Sequence, residues 1–459
     1  MIQKCKQLTG IALCVLLAAQ TGSAQTAAVK KLTLEEAIQL SLSNSKKLKL
    51  SNAKVDEAIA NYRGSKDGRL PDLKVSGSYL RVNNPDYDVK LKTGSSSNSG
   101  SGSGSGSGSS ESSSSAGSIK VNEVGYAMAN ASLPLFSGFR IKYGIESARY
   151  LEQAAKLDAE YDREGVILNT VNAFSNLYKA AKSVELVKEN LGREQQRVKD
   201  YTNLEQNGLI ARNDLLKMQL QQSNVELALL DAENNYRITC INMALMLGLP
   251  EDTELMADSA FITAPVAAGT AIQWEQAAMS GRKDKEALAI RQKAAEIGIK
   301  AAKSEYYPGV ALSGGYVYAN IPKLIVIKDA LNGGIGLQYN IASLWKAGSK
   351  VDAAKARLHQ TEANQNMLDD QIKLDINNAY QSYLLSTRKI DVYNKAIAQA
   401  NENYRITKNK YDNSLVTTTD LLDADVAQLQ AELNYTFSKA DAIVAYKKLQ
   451  QTAGILTEK

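Results

Sequence analysis

The chain is written twice, and that duplication constrains its fold more than any other feature. Residues 133–249 align with 339–455 without a gap, at an offset of 206 residues. VILNTVNAF (166–174) falls on IKLDINNAY (372–380), and NGLIARNDLL, from Asn207, falls on NSLVTTTDLL, from Asn413. Upstream, LPDLKVSGSY (70–79) pairs with YPGVALSGGY (307–316) at an offset of 237, and LTLEEAI (32–38) is similar to IQWEQAA (272–278). The change of offset is an insertion in the first copy, visible as the Ser/Gly tract 94–118. Such a tract buries little apolar surface and reads as a flexible, exposed loop. The expected organisation is a signal peptide over 1–24, a first structural repeat over 25–249, a linker over 250–271 containing Pro250 and Pro265, and a second repeat over 272–459.

Each copy has the same order. A helix (about 33–67 and 272–305) ends before Pro71 or Pro308, because proline cannot continue a helix. Two strand-like runs follow, then a very long helix, a short interruption and another helix. From Trp345 to Asp412 there is no proline and only Gly348. Tyr383, Ile390, Ile397, Tyr404 and Tyr411 recur every seven residues, as do Leu177, Val184, Leu191 and Val198, joined by Val187 and Tyr201 on a neighbouring row. A strict heptad keeps one seam against a partner helix and predicts coiled-coil-like packing. At about 1.5 Å per residue such a helix is on the order of 100 Å long, beyond the needs of an ordinary helical bundle.

The strand candidates alternate. Leu73, Val75 and Tyr79 oppose Lys74, Ser76 and Ser78; Val310, Leu312, Tyr316 and Tyr318 oppose Ala311, Ser313 and Gly315; Ile335, Leu337, Tyr339 and Ile341 oppose Gly336, Gln338 and Asn340. The run from Val121 to Phe136 is the least regular. A period of two with one apolar face suits a half-buried soluble sheet, which alternation alone favours, and it also suits the wall of a water-filled membrane barrel. Four strands are too few to close a barrel, and an open sheet edge is not tolerated in lipid. If these strands cross a membrane, several chains must share one barrel, and three chains giving twelve strands would leave a lumen.

The first residues read as a secretory signal: Lys4 and Lys6, an apolar run from Leu8 to Ala19, and Gly22-Ser23-Ala24 before a cleavage point. Cys14 is a poor lipid-attachment site because Leu13 stands where a small residue is wanted. Cleavage would leave Cys240 as the sole cysteine beside a sole histidine, His359. That inventory predicts no intrachain disulfide, no metal site, no bound cofactor and no Cys/His nucleophile pair. The formal charge of +5 includes Lys4 and Lys6. The remainder is too weakly basic to suggest a nucleic-acid partner. No later apolar run is long enough for a transmembrane helix.

The duplicated layout, the L-P-x-L/V start of the strand pairs, PLFSGF (134–139) at a strand-to-helix junction, and the G-L-x-x-x-x-D interruption resemble the TolC-type outer-membrane efflux proteins over about residues 32–456. The resemblance implies a mainly α fold with a small β part: a long coiled-coil-like α-helical barrel and four strands given to a trimeric transmembrane β-barrel. It implies a passive, non-enzymatic exit duct in the outer membrane of a Gram-negative bacterium, in contact with outer-membrane lipid. Its partners would be two further copies in a homotrimer, a periplasmic membrane-fusion adaptor and an inner-membrane pump of the RND or ABC type, in efflux or type I secretion. Gly208, Leu209 and Ile210 in one copy, and Ser414, Leu415 and Val416 in the other, would be the tips that meet the adaptor. Asp420 and Asp423, with Asp214 as the first-copy counterpart of Asp420, would form carboxylate rings at a periplasmic gate. Such rings favour cations and raise their own pKa values by mutual repulsion. Lys217 stands opposite Asp423, and Ser414 replaces the expected second glycine, so the two copies are not equivalent.

Two other readings compete. Thr417 and Asp420 have the spacing of a helix-capping box, which gives Asp420 a purely structural role beside the gating one. A periplasmic coiled-coil adaptor or scaffold without a pore would use the same long helices but keep the strands in a soluble sheet. An enzyme is disfavoured, since no histidine cluster, phosphate loop or nucleophile motif is present.

Overall fold

The computed structural model describes residues 30–81, 83, 123–262, 269–321 and 325–456. The signal peptide (1–24), the Ser/Gly tract (94–118) and residues 263–268 of the linker lie outside them. The element order is β1 (Lys30–Leu32), α1 (Leu34–Asn44), α2 (Lys46–Asp67), β2 (Asp72–Arg81), β3 (Glu123–Ser137), α3 (Arg140–Gln206) and α4 (Arg212–Leu247). It continues with β4 (Leu255–Ala257), α5 (Ala271–Gly281), α6 (Lys283–Lys303), β5 (Gly309–Ile321), β6 (Ile325–Gln338), α7 (Ser343–Asp412) and α8 (Thr418–Thr452). The chain is mainly α and internally duplicated, and α3 and α7, at 67 and 70 residues, are the long helices of the two copies. Among the described residues no helix is apolar enough to cross a membrane. The chain divides into two compact units, one of Met1–Glu57, Glu152–Arg291 and Thr361–Lys459, the other of Ala58–Leu151 and Gln292–Gln360.

The second unit holds an antiparallel sheet in the order β2-β3-β5-β6. Residues paired across antiparallel strands share a face, so the register sorts the side chains. Val75, Ala129, Tyr316 and Leu331 make one row and Leu133, Leu312 and Ile335 another. On the opposite face, Lys74, Asn130, Gly315 and Asn332 form a row beside Asp72, Ser132, Ser313 and Gly334. One face is therefore apolar and the other small or polar. The apolar face is bare: Val75 is 78% exposed and Leu331 82%. The irregularity expected in β3 is a register shift between Pro134 and Phe136. Proline gives no N–H to the ladder and commonly marks a bulge. At the turn into α3, Gly138 has φ +61, and a Cβ there would run into the Ser304 carbonyl and sit 2.8 Å from Tyr307 Cβ.

The first unit is built on helix packing. Phe174, Leu177, Met243 and Leu247 are fully buried together with Leu32 and Leu255 of the short parallel pair β1–β4. Phe261 stands edge-on to Phe174 and Tyr178, with ring centroids 5.1 and 5.2 Å away. In the second copy Ile372 and Ile376 pack on Ala278, Ala453 and Trp274. Apolar residues at helical spacing find the same kind of partner in both halves.

The single helices expected over 33–67 and 272–305 are each broken in two. Ser45 turns extended (ψ 119) and its Oγ accepts from Leu48 N–H, so it caps the start of α2. Arg282 also turns extended in the second copy (ψ 123), and its guanidinium donates to both oxygens of Asp284 in the first turn of α6. A side chain that captures a free helix-end group offers the backbone an alternative to continuing the helix.

Phe174→Ala removes the centre of the largest core cluster and is expected to destabilise the protein by about 3–5 kcal/mol. Equilibrium denaturation in detergent, with Phe174→Leu as the smaller change, measures this.

Candidate functional site: the paired helical tips

The two interruptions are tight turns of one kind. After α3, Leu209 N–H donates to Leu204 C=O (2.9 Å) and Gly208 N–H to Glu205 C=O (2.9 Å). After α7, Leu415 N–H donates to Lys410 C=O (2.9 Å) and Ser414 N–H to Tyr411 C=O (2.8 Å). Both are Schellman endings, which need a left-handed residue just past the helix. Gly208 (φ +72) supplies it without strain, whereas Ser414 (φ +61) holds the same conformation with a side chain, at about 1–2 kcal/mol.

The following helices start differently. Thr417 Oγ1 accepts from Asp420 N–H (3.2 Å), and the Asp420 carboxylate accepts from Thr417 N–H (2.8 Å) and from the Thr417 hydroxyl (2.6 Å). These bonds hold the Asp420 carboxyl below its ordinary pKa, the opposite direction to that expected of a repelling ring; a single chain contains only the capping contribution. In the first copy Ala211 precedes α4 and makes no side-chain cap. Asp214 is half-buried and faces Lys217 at 3.6 Å, while Asp423 is exposed.

The structure brings the two tips together. Tyr201, Leu215 and Met218 from the first copy bury against Leu421 from the second, with Ile210, Tyr404 and Tyr411 around them. Tyr201 and Tyr411 stack at 5.7 Å between ring centroids. Leu209 and Leu415, 70% and 73% exposed, project from the turns. Between the hairpins lies a groove of about 1260 Å³, lined in part by Leu209, Ile210, Asp214, Val416 and Tyr404. Asp420 and Asp423 are outside it.

Behind the tips lies a buried polar network that the sequence patterns did not single out. Arg197 of α3 donates to Glu194, to Tyr404 Oη of α7 (2.8 Å) and to Asp425 of α8 (3.3 Å), and Asn190 donates to the other Asp425 oxygen (2.9 Å). Glu194 is fully buried and Asp425 nearly so. Burial pushes Glu194 up to about 7, with Arg197 opposing and Asp425 adding to the rise. The signal was in the heptad: Glu194 sits on the row of Val187 and Tyr201, a charge where an apolar residue is due.

A model of the family described as outer membrane efflux protein matches residues 37–249 and again 274–454, once for each copy. The chain belongs to the outer membrane efflux protein family. No curated protein matches it in sequence. Among solved structures it is similar to the outer membrane protein VceC from Vibrio cholerae (19% identity, TM-score 0.69, covering 92% of this chain and 96% of that one). It is also similar to the Campylobacter jejuni CmeC outer membrane channel (16%, 0.73, 92% and 86%) and the Neisseria gonorrhoeae MtrE outer membrane channel (16%, 0.68, 93% and 90%). At these identities the likeness establishes the fold, with its α-barrel and β-barrel parts. Membership makes the chain an outer-membrane efflux channel, and family and fold are those of channels rather than enzymes.

Thr417→Ala removes a cap, and Ala211→Ser adds one. Amide exchange in the first turn of α8 is expected to speed up roughly five-fold in the former, and exchange in the first turn of α4 to slow by a similar factor in the latter. Hydrogen exchange read by mass spectrometry checks both.

Proposed function

We propose that the chain is one third of a homotrimeric exit duct that conducts passively between the periplasm and the outside. A periplasmic adaptor and an inner-membrane pump, of the RND or ABC class, would supply the energy and the cargo. The observation that carries this reading is the sheet, with its bare apolar face, its small polar face and two edges that no strand pairs among the described residues. Strand order makes β2 and β6 antiparallel to one another. The β6 edge of one copy therefore suits the β2 edge of the next in the ladder of a closed, even-stranded barrel. Four strands cannot enclose a passage, and twelve enclose a lumen. A periplasmic scaffold without a pore would leave the apolar face in water.

The helices support the same assembly. On α4, Leu216, Leu220, Leu227 and Ile238 are exposed, and on α7, Met367, Leu374, Leu385 and Val392 are exposed. Spacings of four, seven and eleven keep each set on one side of its helix. Such stripes suit packing against the neighbouring copies. Gly208, Leu209, Ile210, Ser414, Leu415 and Val416 would then meet the adaptor, through two projecting leucines and the apolar edge of the groove. Asp420 and Asp423 would form the charged mouth, with Asp214 beside it but held by Lys217. In a ring, repulsion between neighbours opposes the Thr417 hydrogen bonds, and the balance sets the charge of the opening.

Wild-type protein in detergent is expected to have the mass of a trimer and to conduct in planar bilayers. Leu227→Asp with Leu385→Asp places carboxylates on both stripes and should yield monomers that do not conduct. A stable wild-type monomer with a closed sheet would refute the assembly. Asp420→Ala with Asp423→Ala is expected to raise single-channel conductance and reduce cation preference; unchanged conductance would remove both residues from the gate.

A further inference from the structure

The network behind the tips contains two buried carboxylates and one guanidinium, so one negative charge lacks a counter-charge. Its hydrogen bonds show where the imbalance falls. Glu194 Oε1 accepts from Arg197, and both Asp425 oxygens accept, from Arg197 and from Asn190. Glu194 Oε2 is buried and receives no hydrogen bond. A carboxylate oxygen sealed from water needs a donor or must become one. With a proton on Oε2, Glu194 itself donates, and the neighbouring acceptor is the Asp425 carboxylate, whose interaction with Glu194 is strong enough to raise the affinity of Glu194 for a proton.

We propose that Glu194 and Asp425 share one proton, carried on Glu194 Oε2, and that this carboxyl–carboxylate pair is a pH-responsive clasp between α3 and α8. The groups around the pair are these. On its own helix Glu194 faces Arg197. On α8, Glu432 is also pushed up by burial, with Arg193 opposing and Glu189 and Asp425 adding to the rise, so the Glu194→Gln variant is what separates its titration from that of the pair. Helix α7 contributes the Tyr404 hydroxyl, already bonded to Arg197. Helix α4 meets this stretch of α3 with apolar Val225 and Met218, and its charged pair there, Asp214 and Lys217, is mutually engaged.

The direction of the pH effect follows from linkage. In the clasp Glu194 holds its proton to about 7, and once released into water its ordinary value is 4.5. Between those values the closed clasp binds one more proton than the open one. It is therefore tightest at the acid end and loosens as pH rises through about 7. The open-to-closed ratio gains up to about tenfold per pH unit across that window. Any consequence for conduction rests on the proposed channel; the shared proton does not.

The test is hydrogen exchange of amides around 190–197 and 421–428 in the full-length, detergent-solubilised protein from pH 5 to 8, corrected for intrinsic rates. Wild-type protection should fall as pH rises. Glu194→Gln keeps the bond to Arg197 without a titrating group, and its protection should stay flat. Asp425→Asn leaves Glu194 and Arg197 balanced, and its transition should move to lower pH. Infrared difference spectra at pH 6, wild type minus Glu194→Gln, should contain a protonated-carboxyl band, over the contribution that Glu164, also pushed up to about 7 by burial, makes to both proteins. A wild-type profile flat over this range, or a Glu194→Gln profile that still follows the wild type, overturns the proposal. If protection follows pH but planar bilayers show no conductance, the channel reading fails and the proton site stands.

Discussion

A strand edge cannot face hydrocarbon. Each unpaired N–H and C=O there has no water to bond, and the cost of several such groups exceeds the stability of a typical domain. This chain has two such edges, β2 and β6, flanking a sheet whose outer face is already apolar. Within one copy the conflict has no solution among the described residues, where no further strand pairs those edges. In the proposed trimer the missing strands are supplied by identical neighbours, and the exposed leucine stripes on α4 and α7 become internal by the same symmetry.

Duplication gives that assembly two kinds of hairpin, and their sequences have diverged where chemistry matters. The first tip has an unstrained glycine and no cap; the second has a strained serine and a capping box. The strain at Ser414 and the cap at Thr417 are of similar size and opposite sign. The second tip thus keeps its shape through hydrogen bonds, while the first keeps it through the absence of a side chain. A turn held by side-chain bonds is open to titration and solvent in a way that a glycine turn is not.

Much of this was legible in the residues. The heptads of α3 and α7, the alternation in β2, β5 and β6, and the paired interruptions at Gly208 and Ser414 are local patterns, and each marked its element, although β6 ends at Gln338 and leaves Tyr339 and Ile341, expected on its apolar face, outside the strand. The helix breaks at Ser45 and Arg282 were harder. Neither involves proline, and neither the Ser45 cap nor the Arg282–Asp284 pair declares itself inside a helical pattern until the backbone turns away. The network at Glu194 was the least legible. Its partners Tyr404 and Asp425 lie more than two hundred residues downstream, and only the fold brings them to one place. The misplaced charge on the Val187–Tyr201 row was visible, but its meaning depended on what α7 and α8 present to it.

That misplaced charge bears on how such a molecule can open at all. Leucine at position 194 would complete the apolar row and pack α3 against its neighbours more tightly, since a buried ion cluster is seldom more stable than the hydrophobic residues that could replace it. A seam finished in that way is a poor hinge, because separating it exposes apolar surface to water. The Glu194–Arg197–Asp425 cluster separates differently. Its groups lose one another but regain hydration, so parting them costs less than exposing an apolar seam, and in the proposed clasp the proton on Glu194 shifts the balance. The helices can therefore be stiff along most of their length and still part at the tips, where the apolar row has been interrupted by groups that water can satisfy.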